Sequence, residues 1–318
     1  MAALSTYFIN FESCIENNNK PKHRNMITLS NSTLTISIKR HGAELCSIIK
    51  NGNEHLWQAD PSIWARHSPV LFPIVGRVWE NRYRVLNREY SLPQHGFARD
   101  MDFTLVSQTE SEAWWLLESN EETLAKYPYP FSLRIGYVLD GDKVIVKWDV
   151  ENTGSSLMHF QIGAHPAFVL PEFDANNKGA NGYFDFDNQS ELYYCRPGEK
   201  GCAETGAHLF EPDCGKTLAI TPNAFGPDTY MFENGQLHRV SILDKQHKPY
   251  ISVDFDAPLV ALWAPVKAHP ECPFVCIEPW YGRCDYMHYE GDFASRAWIN
   301  PLEPGKHFAA EYTITIHR

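Results

Sequence analysis

The chain has 318 residues, enough for one large domain or two ordinary ones. Apolar residues at 43% and charged residues at 21% fit a globular protein rather than a disordered or fibrous one. A net charge of −11 argues against a nucleic-acid partner, which would require a basic face, and no stretch approaches the roughly 20 apolar residues of a membrane helix.

Residues 1–25 lack the basic-then-apolar order of a signal peptide. Residues 17–22 are polar and loop-like, and a strand pattern begins at Met26. Residues 1–25 are therefore expected to be an extension, from an upstream start codon, ahead of a single domain over 26–318. Within that domain 27–30, 34–39 and 43–50 read as strands around turns at Asn31-Ser32 and His41-Gly42. Asn51-Gly52-Asn53 is a hairpin-type turn. Residues 57–76 hold Pro61, Pro69 and Pro73, with Trp64 and Phe72 interleaved and no alternation. A structured loop of that length inside a compact domain is usually functional.

A hairpin is expected over 82–86 and 89–92, a loop over 93–100, and strands over 102–108 and 113–119. The best short helix is 120–126, with Asn120 as cap and Glu121 and Glu122 in the first turn. Strands 131–139 and 143–152 turn about Asp140-Gly141-Asp142, and Val144, Val146, Trp148 and Val150 share one face of the second. A strand over 157–164 delivers His165-Pro166. Residues 172–215 are rich in Gly and Asn and read as an excursion, with weak strands at 183–187 and 192–195. Strands follow at 229–232, 239–243, 250–255, 259–264 and 274–278, and residues 306–318 alternate cleanly. About seventeen short strands, hardly any helix and no linker predict an all-β fold, one large antiparallel β-sandwich with very few short helices.

Nine Trp, fifteen Tyr and eighteen Phe are a surplus that β proteins often use to bind ligands. The eight cysteines are scattered without a CxxC pair, zinc spacing or compact disulfide framework. Cys46 and Cys276 lie in apolar runs, where a free thiol behaves as a small hydrophobe. A reducing cytoplasm is the expectation. P-loop, dinucleotide, HExxH and nucleophile-elbow patterns are absent.

Five stretches can carry chemistry. Residues 274–278 form an apolar run that ends in a carboxylate, Glu278. Pro279 cannot donate a ladder hydrogen bond, so the strand is expected to stop there and leave Glu278 at a sheet rim between Trp280 and Tyr281. Glu278 then either serves a sugar, whose hydroxyls donate to carboxylates, or opens an exposed turn. Arg77 ends the run 69–76 and either forks to sugar hydroxyls or sits in a surface pair. Gly96 permits a turn that exposes His95, which otherwise is a buried histidine satisfied by backbone. His165 stands at a strand end before Pro166, as general acid or as a structural ring. Asp228 precedes a strand, as acceptor for a hydroxyl or as a turn residue. Their joint occurrence favours the functional readings, because Glu278 and His165 supply a base and an acid.

Residues 69–77, the loop His95-Gly96-Phe97-Ala98-Arg99, residues 163–168, residues 276–282 with Asp285, and the turn Leu302-Glu303-Pro304-Gly305 together resemble the aldose 1-epimerase (galactose mutarotase) superfamily, most closely its LacX-like branch. The resemblance runs from residue 26 to residue 317. It implies a galactose mutarotase-like supersandwich and an enzyme that interconverts the α and β anomers of an aldohexose. Glu278 matches the base that takes the C1-hydroxyl proton, and His165 the acid that protonates the ring oxygen. His95 matches the second active-site histidine, Arg77 the substrate-binding arginine and Asp228 the acceptor from a sugar hydroxyl. Trp263 and Trp280 are candidates to stack on the sugar or to pack in the core. Where better-studied members carry an aromatic or Asn shortly after the acid, this chain has Pro166-Ala167-Phe168, which leaves the sugar preference open.

No cofactor or metal is required, since mutarotation already proceeds by acid and base in water and each placed group is worth roughly 10²–10⁴ in rate. The carboxylate is expected to stay ionised at neutral pH, held so by polar neighbours. A small-molecule sugar is the expected partner, with no nucleic acid and no membrane, in a monomer or homodimer. Two rival functions remain on the same scaffold. One is a hexose-phosphate 1-epimerase using Arg66, Arg77 and Arg99. The other is a non-catalytic sugar-binding protein.

Overall fold

The structure is a computed structural model and describes residues 25–177, 179–188, 190–212, 217–226 and 228–318. The expected extension over 1–25 thus lies, but for Asn25, outside the described residues. Strands make up 47% and helices 6%, so the all-β expectation holds. The predicted helix forms at Glu121–Lys126. Asn120 caps it by accepting from the Thr123 N–H at 3.0 Å, while the Thr123 hydroxyl accepts from the Asn120 N–H at 2.8 Å.

Among the described residues, two large sheets and a smaller four-stranded N-terminal sheet carry the fold. One has nine strands, with Pro249–Phe255, His307–Ile316, Lys143–Asn152 and Phe131–Asp140 in its middle. The other has eight, among them Thr229–Phe232, Leu259–Trp263, Phe274–Tyr281, Ile162–Ala164 and Val70–Leu71 in that order. The strand pairings are antiparallel. The two sheets meet face to face, since Trp148 of the first lies 6.4 Å from Tyr281 of the second and Phe186 lies 5.9 Å from Phe232, centroid to centroid. Strand alternation then points Tyr281 and its odd-numbered neighbours into this core. Cys276, Glu278 and Trp280 point to the opposite face of the eight-stranded sheet.

Two expectations need correction, and both bear on the site. The strand predicted over 157–164 is two strands. Met158–Phe160 pairs with Asn300–Leu302, and Ile162–Ala164 crosses to the eight-stranded sheet. Between them Gln161 is fully buried, with its side-chain oxygen accepting from the Val75 N–H at 3.1 Å. The second correction is larger. The strand does not stop at Pro279 but runs on, as Phe274–Tyr281, and Glu278 lies inside the sheet at 1% exposure. Register explains why proline is tolerated there. Gly163 pairs with Trp280 and Ala167 with Cys276, so one register continues on both sides of a gap. Inside the gap Ala164, His165 and Pro166 face Pro279, Glu278 and Ile277 without ladder pairing. Each strand brings one proline to the place where the other has let go, so neither missing donor breaks a ladder bond between them. Pro279 stays paired with Val260 on its other flank.

Candidate active site

The gap sets His165 directly across from Glu278. The Nε2 of His165 is 3.3 Å from Oε2 of Glu278, with side chains 9% and 1% exposed. Small residues make room for the pair. Ala261 stands opposite Glu278 on the other flank. A Cβ on Gly163 would come within 2.6 Å of the Trp280 ring, so only glycine lets that indole lie across the strand. Trp280 is buried, and its indole N–H donates to the Ala164 carbonyl at 3.2 Å. It forms a wall of the site.

His95 joins from the 93–100 loop. Its φ is +65° and that of Gly96 is +70°, a left-handed pair that turns the chain sharply. A Cβ on Gly96 would come within 2.2 Å of the Phe72 carbonyl oxygen, so this position requires glycine. The Gly76 N–H donates to Nδ1 of His95 at 3.1 Å, which places the proton of the neutral ring on Nε2. The His95 ring meets that of His165 edge-on at 5.6 Å. Gly76 is held in turn by a buried polar network. Asp285 accepts from Arg296 and from the Trp79 N–H, and its own N–H donates to the Arg77 carbonyl at 2.9 Å.

Trp64, from the 57–76 loop, stacks on His165 at 4.9 Å, and Trp263 meets the same ring edge-on at 5.3 Å. These two indoles touch each other at 5.6 Å and roof the imidazole. Glu44 anchors the loop by accepting from the N–H groups of His67 and Ser68 and from Lys39. The other sequence candidates stand further out. Arg77 is half-buried and donates to the Gln94 side chain at 3.0 Å. Asp228 is 47% exposed, 4.0 Å from Lys267, and accepts from the Thr229 hydroxyl. Thr229 in turn pairs with Trp263, the indole that meets His165. Sequence reasoning missed Trp64 as a site residue, although it sits in the one long loop without alternation.

The electrostatics differ from expectation. Burial drives Glu278 well above the usual carboxylate range, only partly opposed by the Trp280 indole. Burial also drives His165 down to about 3, and Arg99 pushes it the same way. His95 falls well below its ordinary value through burial, with His165 adding to it. Of the polar neighbours expected to keep Glu278 ionised, the Trp280 indole is one, and it does not outweigh burial. Oε2 of Glu278 and Nδ1 of His165 are buried without hydrogen-bond partners. A neutral acid thus faces a neutral imidazole, with one exchangeable proton between them. Neither the hollow of about 100 Å³ lined by Trp79, Tyr83 and Asp285 nor that of about 20 Å³ beside Phe274 is lined by Glu278 or His165.

A two-sheet sandwich whose inner strand pair opens around a histidine and a glutamate is a galactose mutarotase-like structure. A galactose mutarotase related enzyme from Lactobacillus acidophilus superposes with a TM-score of 0.84 at 33% identity, over 92% of this chain and 97% of that one. A galactose mutarotase-like protein from Lactobacillus casei gives 0.86 at 27% identity, over 92% and 100%. In sequence, the plasmid LacX protein of Lactococcus lactis subsp. lactis is 30% identical over 304 residues, 91% of this chain and 99% of the relative. The aldose 1-epimerase family model matches residues 25–285. The chain belongs to the aldose 1-epimerase family.

Proposed function

We propose that the protein is an aldose 1-epimerase that exchanges the α and β anomers of a free aldohexose, and that it works in the cytoplasm. The observation that carries this reading is the His165–Glu278 pair, 3.3 Å apart in a gap of the sheet. With the shared proton on His165, the carboxylate takes the proton of the C1 hydroxyl and the imidazolium gives its proton to the ring oxygen. The bond from C1 to the ring oxygen breaks. The products are an open-chain aldehyde, a protonated Glu278 and a neutral His165. Rotation about C1–C2 and reclosure with roles reversed give the other anomer. The neutral pair favoured by burial is the state left after ring opening, so the pocket stabilises the pair beside the aldehyde. Sugar hydroxyls donating to the carboxylate move the proton back to His165. His95 Nε2–H donates near the ring oxygen, and Arg77, Asp228, Trp263 and Trp280 supply the more distant contacts.

Polarimetry of freshly dissolved α-glucose and α-galactose tests the reading. Glu278→Gln and His165→Asn are each expected to lower kcat by roughly 10²–10⁴. No acceleration by the wild type across a panel of aldoses overturns it, and calorimetric binding without anomer exchange leaves a sugar-binding protein instead. Because burial holds His165 down to about 3, kcat/KM is expected to stay flat through pH 6–7. An acid limb near 6.5, the ordinary imidazole value, contradicts the one-proton pair. Sugar entry requires Trp64 to leave His165, so Trp64→Ala is expected to change KM more than kcat. A loss of kcat at unchanged KM argues against that gate.

A second reading has its own observation. Nε of Arg99 is buried without a hydrogen bond, 3.8 Å from the Asp100 carboxylate that Arg66 also pairs with, and Arg66 and Arg99 both bear electrostatically on His165. Such a cluster suits an anion, so the substrate on this reading is a hexose phosphate. A higher kcat/KM for glucose 6-phosphate than for glucose, lost in Arg99→Ala, selects it.

A further inference from the structure

The row of side chains that ends in the acid–base pair has a third member. Cys276 precedes Glu278 by two residues on one strand, so alternation brings both to the same face. The thiol of Cys276, a ring nitrogen of His165 and a carboxylate oxygen of Glu278 all lie within 4.8 Å of one another, and all three residues are buried. Oε2 of Glu278 has no hydrogen-bond partner and is aimed at Nε2 of His165. Two ligands on one tetrahedral zinc, with bonds of about 2.0–2.1 Å to nitrogen and oxygen, stand roughly 3.3 Å apart. The His165–Glu278 separation of 3.3 Å is already that spacing. Bringing sulfur to its own bond length of about 2.3 Å asks for a shift of roughly 1 Å by the thiol.

The donor set is also selective. Sulfur, imidazole nitrogen and one carboxylate suit a borderline-soft ion such as zinc, whereas magnesium and calcium call for sets of oxygen. A thiolate, a carboxylate and a neutral imidazole together cancel a charge of +2. Burial, which penalises net charge, therefore does not oppose the complex as it opposes a bare carboxylate.

We propose that His165, Cys276 and Glu278 form an inhibitory site for a zinc-class divalent ion, which binds reversibly and silences the acid–base pair. Binding releases two protons, one from the thiol and the one that His165 and Glu278 share. The ion then holds the imidazole lone pair and the carboxylate, so neither exchanges protons with a sugar. A fourth position is left for water. The inference goes beyond the anomer-exchange reading, because metal binding is measured without any sugar.

The test titrates the untagged, metal-free full chain with Co²⁺, which reports its own ligands. One ion per chain is expected, with a sulfur-to-cobalt charge-transfer band and the intense visible bands of a four-coordinate ion, all removed by Zn²⁺. Cys276→Ser and Cys276→Ala are expected to lose the charge-transfer band and to weaken Zn²⁺ binding against a chromophoric chelator by at least about 100-fold. Cys272→Ala removes another buried thiol, bonded to the Phe274 carbonyl and outside the cluster, and is expected to keep both signals. Thermal melts of each variant separate loss of ligand from loss of fold. A wild type without the charge-transfer band overturns the site. So does a folded Cys276→Ala that keeps the band, or a Cys272→Ala that loses it equally. In the activity arm, Zn²⁺ inhibits the wild type, a chelator restores it, and folded Cys276→Ala resists. Zn²⁺ binding with undiminished anomer exchange overturns the inhibitory role.

Discussion

Two buried ionisable pairs lie close together in this molecule, and they are built in opposite ways. Arg296 and Asp285 have side chains 1% and 2% exposed and form a direct ion pair. Around it Arg296 also donates to the Gln161 side chain at 3.1 Å and to the Arg283 carbonyl at 3.2 Å, while Asp285 takes the Trp79 N–H at 2.8 Å. His165 and Glu278 are 9% and 1% exposed, yet Oε2 of Glu278 and Nδ1 of His165 have no hydrogen-bond partner. In the first pair each group is met by an opposite charge and by backbone. The second gives up its charge, because burial without compensation favours the neutral forms. A pair of the first kind holds loops in place. A pair of the second kind is poised to move a proton, which is where perturbed groups mark function.

The largest expected effect on stability falls on the compensated pair. Arg296→Met strands Asp285 as a buried carboxylate, and breaking such a pair typically removes about 3–5 kcal/mol. Denaturant unfolding of this variant should show a loss in that range. It should also loosen His95, since Asp285 holds the backbone at Trp79 and Arg77 beside Gly76. A loss under about 1 kcal/mol would erase the distinction drawn between the two pairs.

Much of the fold was legible in the sequence, because alternation and turn residues are local signals. Val144, Val146, Trp148 and Val150 are buried as their spacing predicts, and Asn120 caps its helix. The candidate acid and base were legible as types, each beside a proline. Their setting was not. Proline forbids a ladder bond, so the sequence alone ends the strand at Pro279. What it could not contain is that Pro166 opens the same window from the partner strand, which makes both prolines tolerable. The ionisation state was missed for the same reason. Whether Glu278 meets donors depends on what crosses from Ile162–Ala164 and from the 57–76 loop, and such contacts are long-range. The grouping of Cys276 with His165 is equally invisible to spacing rules, which see motifs within one segment.

The carboxylate of Glu44 sharpens the contrast from the other side. Burial alone would raise it, but hydrogen bonds from His67 and Lys39 outweigh burial and hold it at about 2, against 4.5 ordinarily. Its folded-state value is depressed, so its contribution is present above pH 4.5 and is lost as pH falls toward 2. The linked stability is about 3 kcal/mol. Wild-type stability should therefore fall more steeply over this acid window than that of Glu44→Gln. Parallel curves for the two proteins would mean that Glu44 does not anchor the 57–76 loop through its charge.

The smallest effect has the opposite sign, which makes it the sharpest test of the comparison. Glu278 has a folded-state value raised well above the ordinary 4.5. A carboxyl of that kind favours the folded state fully below pH 4.5 and erodes it as pH rises, because the unfolded chain ionises freely and the folded chain does not. Replacing it by glutamine removes the penalty and keeps the shape. Glu278→Gln is therefore expected to stabilise the protein at pH 7 and to leave its stability unchanged at pH 4. On the proposed function, kcat for anomer exchange should fall by roughly 10²–10⁴ in the same variant. If Glu278→Gln is instead destabilised at pH 7, Glu278 is ionised and paired after all. The two buried sites would then be of one kind, and the proton shared by Glu278 and His165 would have to be placed on the imidazole.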